Sequence, residues 1–225
     1  MREIVLDTET TGLDPKSGDR LVEIGCVELD NHLPTGRTYH QYVNPEREMP
    51  DEAFRIHGLS EAFLANYPVF ADIAEPFLEF IGDANLVIHN ASFDLGFINA
   101  ELKRLGRAPV EPRRAIDTVQ VARGKYPGAQ ASLDALCRRF EIDLSVRTKH
   151  GALLDAELLA DVYLELVGGR QPGLELASQQ RQSNNKKSDR KNKPARPPRP
   201  HAPSQAESAA HQALIEKITD PIWRE

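Results

Sequence analysis

Cysteine is scarce in this chain. Among 225 residues only Cys26 and Cys137 occur, each inside an apolar pattern. That excludes a disulfide framework and a cysteine-ligated zinc site, and it suits a reducing compartment. Aromatic residues make up only 6%, with one tryptophan, Trp223. No apolar run approaches the ~20 residues of a membrane-spanning helix. No signal-peptide pattern separates Met1 from the first strand-like stretch. The expectation is a cytoplasmic protein with no membrane contact. Between Ala177 and Ala213 there is no Leu, Ile, Val, Met, Phe, Tyr or Trp, and such a segment cannot form a core.

Positive charge is also in short supply where a domain is expected. Residues 1–170 carry 18 Lys and Arg against 28 Asp and Glu, whereas residues 171–225 carry 10 against 6. An acidic main domain excludes a generic basic coat for nucleic acid. It leaves room for a site that meets phosphate through bound cations.

What is present begins with Ile4–Val5–Leu6–Asp7–Thr8–Glu9–Thr10–Thr11–Gly12–Leu13. Three aliphatic residues predict a strand buried on both faces. Residues two apart on a strand share a side, so Asp7 and Glu9 present their carboxylates together. They form either a cation site or a solvated turn. Arg20–Leu29 and Arg37–Val43 predict two further strands and an antiparallel meander. A short helix is expected from Ser60, with Glu61 in its first turn. The apolar spacing of Phe70–Ile81 predicts a longer one. Leu86–Ile88 reads as a buried strand ending in His89–Asn90, followed by a helix from Ser92 that stops near Gly106. Ala115–Val121 is a short apolar segment carrying Asp117. A helix starts near Ser132, and the last long one runs from about Ala152 to Val167, ended by Gly168–Gly169.

Five chemically notable residues fall at element ends. Asp7 and Glu9 close the first strand. Asp94 opens the helix after Leu86–Ile88. His150 and Asp155 bracket the start of the last long helix. Five residues turn a helix by about 140°, so these last two converge only if His150 lies in the preceding loop. Taken singly, Asp94 and Asp155 are also ordinary helix N-terminal acids, and His150 an ordinary loop histidine.

Together, VLDTETTGL, HNASFD and HGALLD resemble the three motifs of the DEDD superfamily of 3′–5′ exonucleases, in the subgroup whose third motif carries histidine. The similarity covers residues 1 to about 168. Within the superfamily, DEAFRIHGL and HGALLDAELLADVYLELVGG resemble the epsilon proofreading subunits of bacterial DNA polymerase III. The resemblance implies a ribonuclease-H-like α/β fold, a mixed five-stranded sheet flanked by helices. It implies two divalent cations, Mg2+ or Mn2+. Asp7, Glu9 and Asp155 would hold the first and also touch substrate. Asp7 would be shared with the second, and Asp94 would act mainly through water. His150 is then the general base that activates water, and Glu52 and His57 line the pocket for the terminal nucleotide. The implied reaction is hydrolysis of the terminal phosphodiester of DNA 3′ ends, single-stranded or frayed, releasing nucleoside monophosphates.

Residues 1–169 are thus expected to form an exonuclease domain. Residues 170–176 contain Gln171, Leu174 and Leu176, similar to short peptides that dock on the bacterial sliding clamp. Residues 177–210 are expected to be a disordered linker. Residues 211–225, with Leu214, Ile218 and Trp223, resemble a segment that docks on the polymerase III alpha subunit. Three other functions fit parts of the pattern. An exoribonuclease or oligoribonuclease would share the motifs. An aspartate-nucleophile phosphatase is disfavoured by Glu9 in its second position. A non-catalytic adapter between clamp and polymerase would have no use for His150.

Overall fold

The computed structural model describes residues 1–145, 147, 149–168 and 202–218. The chain divides into two units, Met1–Leu174 and Glu175–Glu225. The first opens with β1 (Arg2–Thr10), β2 (Leu21–Asp30) and β3 (Leu33–Tyr42), an antiparallel meander. Then follow α1 (Asp51–His57), α2 (Glu61–Leu64), α3 (Phe70–Ile81), β4 (Asn85–Ile88) and α4 (Ala91–Arg104). The unit closes with β5 (Ala115–Asp117), α5 (Thr118–Lys125), α6 (Leu133–Arg139) and α7 (Ala152–Val167). The sheet order is β3-β2-β1-β4-β5, with β4 and β5 parallel to β1. This is the expected mixed five-stranded sheet flanked by helices.

The period of two along β1 sorts the core. Ile4 and Leu6 join a cluster with Phe70, Phe77 and Ile98, from α3 and α4. Val5 joins the opposite cluster with Leu159, Val162 and Leu136, from α7 and α6. Both faces are dry, which is why the strand reads as an unbroken aliphatic run. Cys26 and Cys137 are buried free thiols within these clusters.

Three boundaries differ from the sequence expectations. β3 begins at Leu33, four residues earlier than expected, and contains Pro34. It lies at the sheet edge, where a missing backbone donor is tolerated. α1 was not expected ahead of the helix at Ser60. Its start has no side-chain cap, but Asp51 and Glu52 favour the first turn, and Gly58 ends it at φ 78°. The segment from Ala115 turns helical at Thr118, because the Asp117 side chain accepts a hydrogen bond from the Val119 N–H.

In the second unit, α8 (Gln205–Ile215) starts inside the stretch expected to be linker up to residue 210. Ser204 and Glu207 form a reciprocal capping box, and the following alanines are strong helix formers. Leu214 and Ile218 are exposed on this unit. Gln171, Leu174, Leu176 and Trp223 lie outside the described residues. Among the described residues, no helix is long and apolar enough to cross a membrane.

Candidate active site

The alternation that sorts the core also aims the acids. Asp7 and Glu9 share parity with Val5 and emerge on the α7 side of the sheet. Across the β1–β2 ladder Asp7 faces Gly25 and Glu9 faces Glu23. α7 rests directly on Gly25: a Cβ there would lie 2.2 Å from the Ala152 carbonyl carbon and 2.3 Å from the Leu153 nitrogen. That close approach brings Asp155, in the first turn of α7, to the tip of β1. Thr8 has the opposite parity and faces α4, where its hydroxyl donates to Asp94 Oδ1 at 2.7 Å. β4 ends level with Leu6. Asn90 then takes the left-handed conformation, φ 70° and ψ 57°, to turn the chain sharply into α4. Asp94 therefore sits beside the same strand end, with 2% of its surface exposed.

His150 lies in the loop before α7, as its spacing from Asp155 requires. Glu9, His150 and Asp155 each bring a ligand atom within 4.8 Å of the others. Asp7 lines an open hollow of about 320 Å³ with His150, Asp155 and His89. Arg147 reaches into it: its Nε and Nη2 donate to the two oxygens of Asp155, both at 2.6 Å. The same guanidinium pairs with Asp134 and lies 2.9 Å from His150 Nδ1. His150 Nδ1 is also 3.2 Å from Asp155 Oδ2.

Asp7, Glu9 and Asp155 thus share one guanidinium, Asp94 adds a fourth carboxylate nearby, and their proton affinities respond. Burial, reinforced by Asp155, Glu23 and Asp94, pushes Glu9 up to about 8. Burial pushes Asp94 up to about 7, against the opposing hydrogen bonds from Thr8 and the backbone. Asp7 is raised well above the ordinary carboxylate range by burial and by the charges of Asp94, Glu9 and Asp155. Burial acts on Asp155 in the same direction, but the hydrogen bonds from His150 and Arg147 outweigh it and hold its carboxyl low.

A second cleft, about 480 Å³, adjoins Glu9 and is lined by Thr10, Leu13, Glu52, His57 and Phe93. His57 is 6% exposed. Its Nδ1 accepts from the Leu59 N–H at 3.0 Å, which places the ring proton on Nε2. That Nε2 is buried and has no hydrogen-bond partner among the described residues. Burial holds the imidazole below its ordinary value, so it is a neutral donor.

The structure brings all five motif residues to one strand end, with Glu52 and His57 in the adjoining cleft. Sequence reasoning passed over Thr8, Gly25, Arg147, Leu13 and Phe93. Thr8 and Leu13 lay in plain view inside the first motif. Arg147 stands alone in a polar loop and carries no local signal.

Against known proteins, residues 4–163 match the family model for exonucleases of the RNase T type. The DNA polymerase III subunit epsilon of Rickettsia felis is 54% identical over 188 residues, covering 82% of each chain. That of Escherichia coli is 47% identical over 176 residues, covering 75% of this chain and 72% of the relative. Among solved structures, exonuclease X in complex with 5′-overhanging duplex DNA aligns at TM-score 0.58 with 27% identity, over 73% of this chain and 90% of the other. The nuclease domain of 3′hExo, a DEDDh family member bound to rAMP, shares the fold at TM-score 0.65 and 19% identity, over 74% and 91%.

Proposed function

Because this chain belongs to the DNA polymerase III epsilon-subunit family and is a 3′–5′ exonuclease, we propose that it proofreads DNA 3′ ends within a bacterial replicative polymerase in the cytoplasm. One observation carries the reading: Asp7, Glu9, Asp94, Asp155 and His150, spread over the length of the domain, converge on the tip of β1.

The donor set fits a divalent metal. Its groups are carboxylate oxygens and one imidazole, three of them already within ligand reach of one another. Buried Glu9, Asp94 and Asp155 and the half-buried Asp7, with Arg147 acting on all but Asp94, leave negative charge to be balanced. Hard oxygen donors of this kind suit Mg2+ or Mn2+. Asp7, Glu9 and Asp155 would hold one ion, and Asp7 with Asp94 a second. Such ions supply charge stabilisation to the phosphate and leaving oxygen and lower the pKa of the attacking water.

The chain's own groups do the rest. His150 accepts the proton of the attacking water. This requires the tautomer that donates Nδ1–H to Asp155 and leaves Nε2 free to accept, so Arg147, a donor only, must first release its 2.9 Å contact with Nδ1. Its side chain is half exposed, so the proton can pass on to solvent. His57 Nε2–H donates into the cleft that would hold the terminal nucleotide, and Glu52 accepts from the same molecule. No covalent enzyme intermediate is required.

Selectivity for errors would come from melting of the primer end. Unpairing costs a few kcal/mol for a matched base and less for a mismatch. Gln171, Leu174 and Leu176 would dock on the sliding clamp, and Leu214, Ile218 and Trp223 on the alpha subunit. A direct test uses the full chain and a 5′-labelled single-stranded DNA. Shortening from the 3′ end with Mg2+, stopped by chelator and by Asp7→Ala, is the expected result. Continued hydrolysis by Asp7→Ala would place the chemistry elsewhere.

A further inference from the structure

The cleft beside Glu9 has Leu13 and Phe93 among its lining residues. The same two segments that form its far wall run on to bound a second groove, of about 580 Å³. Leu13 gives way to Pro15 and Lys16, which lie in a short 3-10 turn, and Phe93 gives way to Gly96 and Ala100 along α4. Phe93, Gly96 and Ala100 follow one another at helical spacing on one face. A Cβ on Gly96 would meet nothing, so the groove floor there is open. Its far end is basic, lined by Lys16, Lys103 and Arg104. All three are exposed. Nearby Arg20 and Arg107 are committed to Glu101 and Glu75, while these three form no ion pair with a described residue. Lys103 and Arg104 also suit a helix C-terminus. Lys16 comes from a different segment, so that preference does not account for its place here.

We propose that this groove is the track for the single DNA strand leading into the active site, with Lys16, Lys103 and Arg104 meeting its phosphates. The inference rests on the exonuclease reading and extends it to the upstream nucleotides. Two features favour a nucleic-acid strand as occupant: the groove is bounded by the same two chain segments as the cleft beside Glu9, and its lining carries three cations and no acid. From Phe93 to Arg104 the helix rises ~16 Å, the span of about five nucleotides of a stacked strand at ~3.4 Å each.

The test measures binding of fluorescent oligo-dT, two to ten nucleotides long, to the full chain in chelator, and hydrolysis of the same oligomers in Mg2+. For wild type, affinity should rise with length up to about five nucleotides. Lys103→Glu with Arg104→Glu should remove that gain and weaken ten-nucleotide binding about tenfold. The slope of log affinity against log salt should become shallower by roughly 0.7 for each phosphate no longer neutralised. Turnover of the dinucleotide should stay unchanged, which also shows that the variant is folded. Arg113→Glu with Arg123→Glu, the same charge change elsewhere, should leave the length dependence intact. Unaltered length and salt dependence in the groove variant, or equal loss in the control, would overturn the track. Wild type that binds with length dependence but hydrolyses nothing would instead remove the exonuclease reading.

Discussion

Asp7 and Gly25 face each other across the β1–β2 ladder, and the space that Gly25 leaves empty is filled by the first turn of α7. The helix carrying Asp155 can approach the strand carrying Asp7 and Glu9 only because its seat has no side chain. Gly25→Ala should therefore push α7 outward and separate the carboxylates. Overpacking of this kind costs about 1–3 kcal/mol, and a 1 Å misplacement at a reacting centre lowers rate by about 100-fold. Thermal unfolding and exonuclease rate measured on the same variant should show a modest loss of stability beside a much larger loss of activity.

Stability without metal should fall as pH rises. Glu9, at about 8, and Asp94, at about 7, bind protons more tightly folded than unfolded. Groups raised in this way stabilise the fold fully at low pH and lose that contribution as pH climbs through their folded values. In chelator, Tm should drop between pH 5 and 8. Mg2+ should raise Tm and flatten the curve, because ligand binding to the folded state is stabilising. Asp7→Asn should raise Tm in chelator, by relieving repulsion, and lose most of the Mg2+ effect. Calorimetry across pH reads all three.

His57 lines the cleft beside Glu9, and its buried Nε2 has no full hydrogen bond, only the influence of the Thr10 backbone. His57→Ala should raise KM for single-stranded DNA about tenfold, the weight of one hydrogen bond of about 1.4 kcal/mol. It should change kcat much less. A kcat loss with KM unchanged would move His57 from binding to chemistry.

Melting-controlled selectivity predicts an order of rates on 3′ ends: single-stranded fastest, then mismatched, then fully paired. Initial rates on three duplexes that differ only at the terminal pair check this. Equal rates on all three would remove melting as the source of discrimination.

The tail has separable predictions. Replacing Gln171, Leu174 and Leu176 by alanine should abolish retention on a purified clamp while leaving hydrolysis of free oligonucleotides unchanged. Trp223→Ala should weaken capture by the alpha subunit at least tenfold. Pull-down with each purified partner distinguishes the two surfaces.

Much of the site was legible because its residues sit where secondary structure begins or ends. Alternation placed Asp7 and Glu9 on one side, and the 140° rule put His150 in a loop. α1 escaped because Pro50 offers no side-chain cap, and α5 because its cap, Asp117, also ends a strand. Arg147 was illegible for a different reason. Its partners Asp134, His150 and Asp155 come from two helices and a loop, and no local pattern marks a residue whose role is to meet all three.

The amino-acid order alone singled out the five motif residues, the shared side of β1 on which Asp7 and Glu9 stand, and the family, since these follow from short-range periodicity and contiguous motifs. Only the folded chain decided that Glu9 and Asp94 resist ionisation, that Thr8 and Gly25 set the spacing of the carboxylates, and that a basic groove lies beyond the cleft beside Glu9. Burial, mutual repulsion and backbone approach are properties of residues far apart in sequence, and they exist only once packing has brought those residues together.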